Sequence, residues 1–124
     1  MILAGWQTLL KTKGKMSLKQ IFEKFNSIEF AEKRCVDDEY VEVVVLNKQS
    51  EEWNKISQEL FGPALKPAGA KPNKDVLSLA EEFGGIRNDQ SLFKKEIDGR
   101  HVMAMFWPWQ DGAHTTLKIF VLPA

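Results

Sequence analysis

The sequence predicts an α+β fold: a four-stranded antiparallel sheet with helices packed on one face, in the order helix, strand, helix, helix, strand, strand, strand. Three observations lead there. Alternating apolar runs in the last third of the chain are separated by Asp98-Gly99 and by a Pro108-Trp-Gln-Asp-Gly112 turn, which is how β-hairpins read in sequence. A short β-branched run, Tyr40-Val-Glu-Val-Val-Val-Leu46, carries a single charge and reads as a buried strand. The remaining apolar stretches repeat with helical spacing and carry start and stop signals.

Residues 1–15 read either as an N-terminal extension before Met16 or as a short helix or arm that docks on the domain or on a partner; Lys11, Lys13 and Lys15 follow the apolar stretch, whereas a secretory signal places them before it. A single domain is then expected over 16–124. In the first helix, Ser17 and Gln20 match a capping box, and Leu18, Ile21, Phe22 and Phe25 share one face. Asn26-Ser27 kinks or restarts this helix, with Phe30 continuing its apolar side toward Arg34. After the Tyr40–Leu46 strand, Ser50 is the expected cap of a helix with Glu51 and Glu52 at its positive end. Trp53, Ile56 and Leu60 form its stripe, and Gly62-Pro63 stops it.

The stretch 62–74 holds three prolines and two glycines and reads as a long surface loop, either connector or functional cover. Asp75 begins a third helix with Val76, Leu79, Ala80 and Phe83 inward, closed by Gly84-Gly85. Strands follow over about Leu92–Ile97, His101–Trp107 and Thr115–Leu122. Pairing Ile97 with Arg100 sets Phe93 opposite Ala104, and an Asp111-Gly112 turn sets Phe106 opposite Leu117 and Ala104 opposite Ile119. That face, with Val102 and Val121, is the expected helix-covered core. The reverse face carries Met103, Met105, Trp107, Phe120 and Leu122 among Lys and Glu, too apolar for a solvated sheet face. Pro108 is a point at which a bulge would flip the register.

Composition narrows the function. At 124 residues the chain is large enough to bury a core without disulfides or metals, and 44% hydrophobic with 27% charged residues is ordinary for a globular protein. No apolar run approaches the roughly 18–20 residues of a membrane span. Cys35 is the one cysteine, so no internal disulfide forms, and a cytoplasmic location is expected. Seventeen basic and seventeen acidic residues cancel, which argues against nucleic acid as a partner. Locally, residues 1–34 carry seven Lys/Arg against three Glu and residues 35–60 two Lys against seven Asp/Glu, which reads as solvated helix faces.

His101 and His114, with Glu96 and Asp111 nearby, form histidine–carboxylate pairs, but the spacing matches no zinc pattern and Cys35 has no companion cysteine. No metal and no cofactor are expected. Cross-strand pairing accounts for Glu96 and His101 more simply, and Cys35 reads as structural. Gly84-Gly85-Ile-Arg87-Asn-Asp89-Gln90 lacks the spacing of a dinucleotide or phosphate loop, yet offers charge and hydrogen bonds after two glycines.

The expectation is therefore a small soluble binding or interaction module. Met103, Met105, Phe120 and Leu122 would form the interface of a homodimer or protein complex, or hold a small ligand. Arg87, Asp89, Gln90, Trp107, Trp109 and His114 are the candidate ligand-binding residues, lying at loop ends where binding groups gather. The alternative is a small-molecule enzyme with a pocket between the 84–90 turn and the 107–114 hairpin end. There Arg87 would hold an anion, and His114 or Asp89 would move protons. The sequence names no catalytic set.

Overall fold

Residues 17–81 and 84–122 are described by a computed structural model, so the expected extension over 1–15 and the expected inward Phe83 lie outside the described residues. Helix α1, Leu18–Phe22, opens on the capping box its sequence encodes: Ser17 Oγ accepts from the Gln20 N–H at 3.2 Å, and Gln20 Oε1 accepts from the Ser17 N–H at 2.9 Å. A 3₁₀ turn, Glu23–Phe25, extends it.

The chain then leaves the helical path. Phe30–Val36 forms an edge strand, β1, where the sequence suggested continued helix. Ala31-Glu-Lys-Arg has sound helix propensity, but the open side of its neighbour offers a ladder of backbone partners, and tertiary pairing overrides propensity. Two register irregularities, between Phe30 and Glu32 and between Lys33 and Cys35, scramble the alternation that would have revealed a strand.

Strand β2 spans Tyr40–Leu46, the bounds its β-branched run predicts. Asp37 closes the turn before it, its Oδ1 accepting from the N–H groups of Glu39 at 2.9 Å and Tyr40 at 2.8 Å. Helix α2, Ser50–Phe61, follows a 3₁₀ turn. Ser50 is its first helical residue instead of its cap, and the Gln49 side chain at the cap position makes no bond to the helix, its Oε1 accepting instead from the Glu29 N–H at 2.9 Å. Gly62, at φ 81°, ends it. Helix α3, Lys74–Ala80, is capped by Asn73, whose side chain accepts from the Val76 N–H at 2.9 Å.

Strands β3 (Ser91–Ile97), β4 (Arg100–Pro108) and β5 (His114–Val121) complete the fold. Asp98 at φ 53° and Gly99 at φ 81° supply the two left-handed residues that a tight β3–β4 hairpin demands. The pairings Ile97–Arg100, Phe93–Ala104, Phe106–Leu117 and Ala104–Ile119 are those expected, and the β4–β5 register runs through Pro108 without a bulge. The sheet is antiparallel, in the order β1-β2-β5-β4-β3. It has five strands, not four, because β1 adds an edge.

Helices cover both faces of the sheet, not one. On the first face α1 and α2 bury Leu18, Ile21, Phe25, Trp53, Ile56 and Phe61 against Val41, Val43, Val45, Phe93, Val102, Ala104, Phe106, Leu117 and Ile119. The Trp53 ring stacks on Phe106 with centroids 4.5 Å apart, and its indole N–H donates to the Leu46 carbonyl at 3.0 Å. On the second face α3 and Ile86 lie over Leu92, Met103, Met105 and Phe120, with Tyr40, Trp107 and Leu122 at the margin.

This overturns the expected interface. Met103 and Met105 are fully buried, Phe120 is 6% exposed, and Leu122 packs at their edge. Their apolar partner is the chain's own third helix. The sequence required a cover for this face and left open what supplied it. Val76 and Ala80 fit either face, and the long 62–73 connection carries α3 around the β3 edge.

Candidate functional site

Beyond the reach of α3, the second sheet face is polar and aromatic. Its residues come from the middle of β1, the length of β2, and the hairpin joining β4 to β5. Glu42 on β2 stands opposite Lys118 on β5 and Cys35 on β1. Its carboxylate accepts from the Tyr40 hydroxyl at 2.6 Å and from Arg34 Nη1 at 3.1 Å. Arg34 also bonds Glu32 through Nε at 3.2 Å. These bonds favour the charged forms: the Tyr40 hydroxyl, then Arg34, holds Glu42 below the usual carboxylate range, and Glu42, then Glu32, raises Arg34. Burial, reinforced by Glu42, pushes the Tyr40 phenol well above its ordinary value, so it stays a donor.

Two indoles lie beside this network. Trp109 turns back over the sheet, and its N–H donates to Thr116 Oγ1 at 2.8 Å. The Arg34 guanidinium carbon stands 5.7 Å from the Trp109 ring, and the His114 ring is 4.9 Å away. Trp109 keeps 37% of its surface exposed, unusual for so large an apolar side chain. On the next strand Lys118 Nζ sits 3.9 Å from the Trp107 ring centroid, a close cation–π contact. Trp107 also borders Gly84, where any added Cβ would lie 2.6 Å from the ring. The Trp107 indole nitrogen is buried and has no hydrogen-bond partner among the described residues.

His114 is fixed by the turn before it. Asp111 Oδ1 accepts from the N–H groups of Ala113 at 2.8 Å and His114 at 3.1 Å, and Oδ2 lies 2.6 Å from His114 Nδ1. The Ala113 N–H, then the His114 ring, holds the Asp111 carboxyl below its ordinary value. The arrangement orients an imidazole at the surface, with Trp109 on one side.

Of the six expected ligand-binding residues, Trp107, Trp109 and His114 share this surface. Arg87, Asp89 and Gln90 do not join them. Arg87 pairs with Asp89 at 3.3 Å in solvent, and buried Gln90 closes its own turn by accepting from the Arg87 N–H at 2.8 Å. No hydrogen bond, ion pair or ring contact among the described residues links these three to the hairpin. At the start of the 84–90 turn, the Trp107 ring lies directly against Gly84. A shallow groove of ≈ 520 Å³ runs along Leu77, Ser78, Glu81, Gly84 and Gly85, and holds none of the expected site residues.

Tyr40 and Glu42 lie on the strand the sequence predicts, but their network is invisible while Arg34 reads as helical. As an edge strand, β1 lays it across the face from Trp109. Lys118 lies on the expected face beside Trp107, as the β4–β5 register implies, and the structure sets its ammonium over that ring. Burial and Asp37 raise the Cys35 thiol above its ordinary value, which opposes a reactive thiolate. His101 pairs with Glu96 across the β3–β4 hairpin. Among the described residues no group of three His, Cys, Asp or Glu is placed to hold a metal, and no helix is long and apolar enough to cross a membrane. Compared with protein families, with characterised proteins and with solved structures, the chain matches none.

Proposed function

We propose that this chain is a binding module whose ligand surface is the open part of the second sheet face, centred on Trp109, Arg34, Lys118 and Trp107. One observation carries the reading: α3 buries Leu92, Met103, Met105 and Phe120 at the centre of that face and leaves the hairpin end uncovered. There an exposed indole stands between an arginine and a histidine. The charges suggest the ligand class. Arg34 is already neutralised by Glu32 and Glu42, whereas Lys118 has no ion-pair partner within 4.0 Å among the described residues. A planar aromatic acid satisfies both features, its ring stacking on Trp109 and its anion meeting Lys118.

Fluorescence titration with indole-3-acetate and benzoate, using cyclohexanecarboxylate as a non-aromatic control, tests this reading. The aromatic acids should bind in preference to the control. Trp109→Ala should weaken binding by about tenfold or more, the usual worth of a stacked ring. Lys118→Met should weaken it while leaving the melting temperature nearly unchanged, since a half-exposed charge contributes little to folding. Equal affinity for all three acids, or none, refutes the reading. The enzyme alternative rests on the oriented His114–Asp111 pair, which has the form of a general base. Conversion of a bound acid that is lost in His114→Ala without loss of affinity would favour it.

A further inference from the structure

Lys66 is a lysine almost without solvent contact, 2% exposed, and among the described residues no carboxylate lies within ion-pair distance of it. Its ammonium donates instead to three main-chain carbonyls, those of Pro67 at 2.9 Å, Asn88 at 2.7 Å and Gln90. Three acceptors match the three protons that only the charged amine carries. Burial presses the group below its ordinary lysine value, and Asp89 opposes that shift. An isolated buried cation is costly, so so complete a set of partners marks a built feature.

The same two segments are joined along the backbone. The N–H groups of Leu65 and Lys66 donate to the Leu92 carbonyl at 2.8 and 3.1 Å, and the Leu92 N–H donates to the Lys66 carbonyl at 3.0 Å. The Gly69 N–H donates to the Asn88 carbonyl at 2.7 Å, so that oxygen serves loop and lysine together. The proline-rich stretch is thus stitched to the outer edge of β3 and to the turn before it. That edge is buried at Ser91, Leu92 and Phe93 and carries charge at Lys94, Lys95 and Glu96. The loop covers the half that has no charges of its own.

We propose that Lys66 is a latch that makes the 62–73 loop and the 86–90 turn open and close as one unit on the β3 edge. Release would remove the ammonium from all three carbonyls together and free the outward N–H and C=O of Leu92 for pairing with another extended strand. The inference stands independently of any ligand on the opposite end of the sheet.

Native-state hydrogen exchange on the full chain tests it. In the wild type, the amides of Leu65, Lys66, Gly69 and Leu92 should merge onto one denaturant isotherm below that of Leu117 and Ile119. Lys66→Met keeps the length and removes the donors, and should speed exchange at the four amides together by about tenfold or more. Leu117 and Ile119 should change much less, and Lys71→Met, in the same loop, should change none. Separate isotherms for the four wild-type amides overturn the proposal, as does a folded Lys66→Met protein with unaltered protection or with losses equal to those of the core. Should Lys66→Met not fold, the wild-type isotherms alone decide.

Discussion

Gly84→Ala is the sharpest single test of how the second face is assembled. Gly84 has φ 97°, a conformation L side chains rarely adopt, and a Cβ built there would sit 2.6 Å from Trp107 Cη2. The backbone strain alone costs about 1–3 kcal/mol. The indole has little freedom to retreat, because Lys118 lies on its ring and its margin packs against the cluster of Met103, Met105 and Phe120. Forcing a methyl into such a contact costs about 1–3 kcal/mol more. The sum, about 2–6 kcal/mol, is a large share of the ~5–15 kcal/mol that holds a small domain together. Gly85→Ala supplies the control, since Gly85 has a similar φ of 80° but nothing within 4 Å of its Cβ. Urea unfolding of both variants isolates the ring contact as their difference, provided the slope with denaturant is unchanged. Trp107→Leu in the Gly84→Ala background should recover part of that difference, the signature of coupled neighbours. Equal destabilisation by Gly84→Ala and Gly85→Ala would refute the argument and show that the indole is not clamped.

Two further outcomes follow from burial and charge. Met105→Glu places a carboxylate at a fully buried position under α3, so it should cost several kcal/mol and abolish cooperative unfolding; a folded, stable Met105→Glu protein, by circular dichroism, would mean that α3 does not cover this face. Asp37 is held below its ordinary value of 3.8 by the Glu39 and Tyr40 N–H groups, so the folded state binds its proton more weakly than the unfolded state. Its contribution is then fully present above that ordinary value and lost as pH falls through the lower folded value. Asp37→Asn should flatten the acid limb of melting temperature against pH below about pH 4, and an unchanged limb would remove Asp37 from the account.

Local sequence rules were sufficient wherever the neighbour in space is also a neighbour in sequence. Ser17 and Gln20 bond each other three residues apart, and Asp98-Gly99 needs only its own two dihedral angles to set the β3–β4 register. From that register the division of Phe93, Ala104, Phe106 and Leu117 from Met103 and Met105 follows by alternation alone. The errors lie where partners are distant. β1 is a strand because β2 offers an open edge, and its two irregularities remove the period that marks strands. The site suffers most from this, since Arg34 reaches Trp109 only if residues 30–36 are extended across the sheet.

The apolar second face shows why patterning can be read correctly and assigned to the wrong partner. Met103, Met105 and Phe120 do demand burial, and the same demand is met equally well by a second molecule or by a helix of the same chain. What decides is chain length and attachment. The connection from Gly62 to Asn73 is long enough to round the β3 edge, and Lys66 anchors it there through carbonyls of the turn that follows α3. The Pro- and Gly-rich composition that marks 62–74 as a loop is therefore compatible with a fixed path. Backbone bonds to Leu92 and Asn88 and one buried ammonium fix it, and a lysine in such a loop looks in sequence like any solvated charge. Once α3 occupies the centre of the face, the most exposed aromatic side chain among the described residues is at the hairpin end, where Trp109 is held by Thr116 and flanked by Arg34 and His114. The covering helix thus confines the candidate site to β1, β2 and the β4–β5 turn.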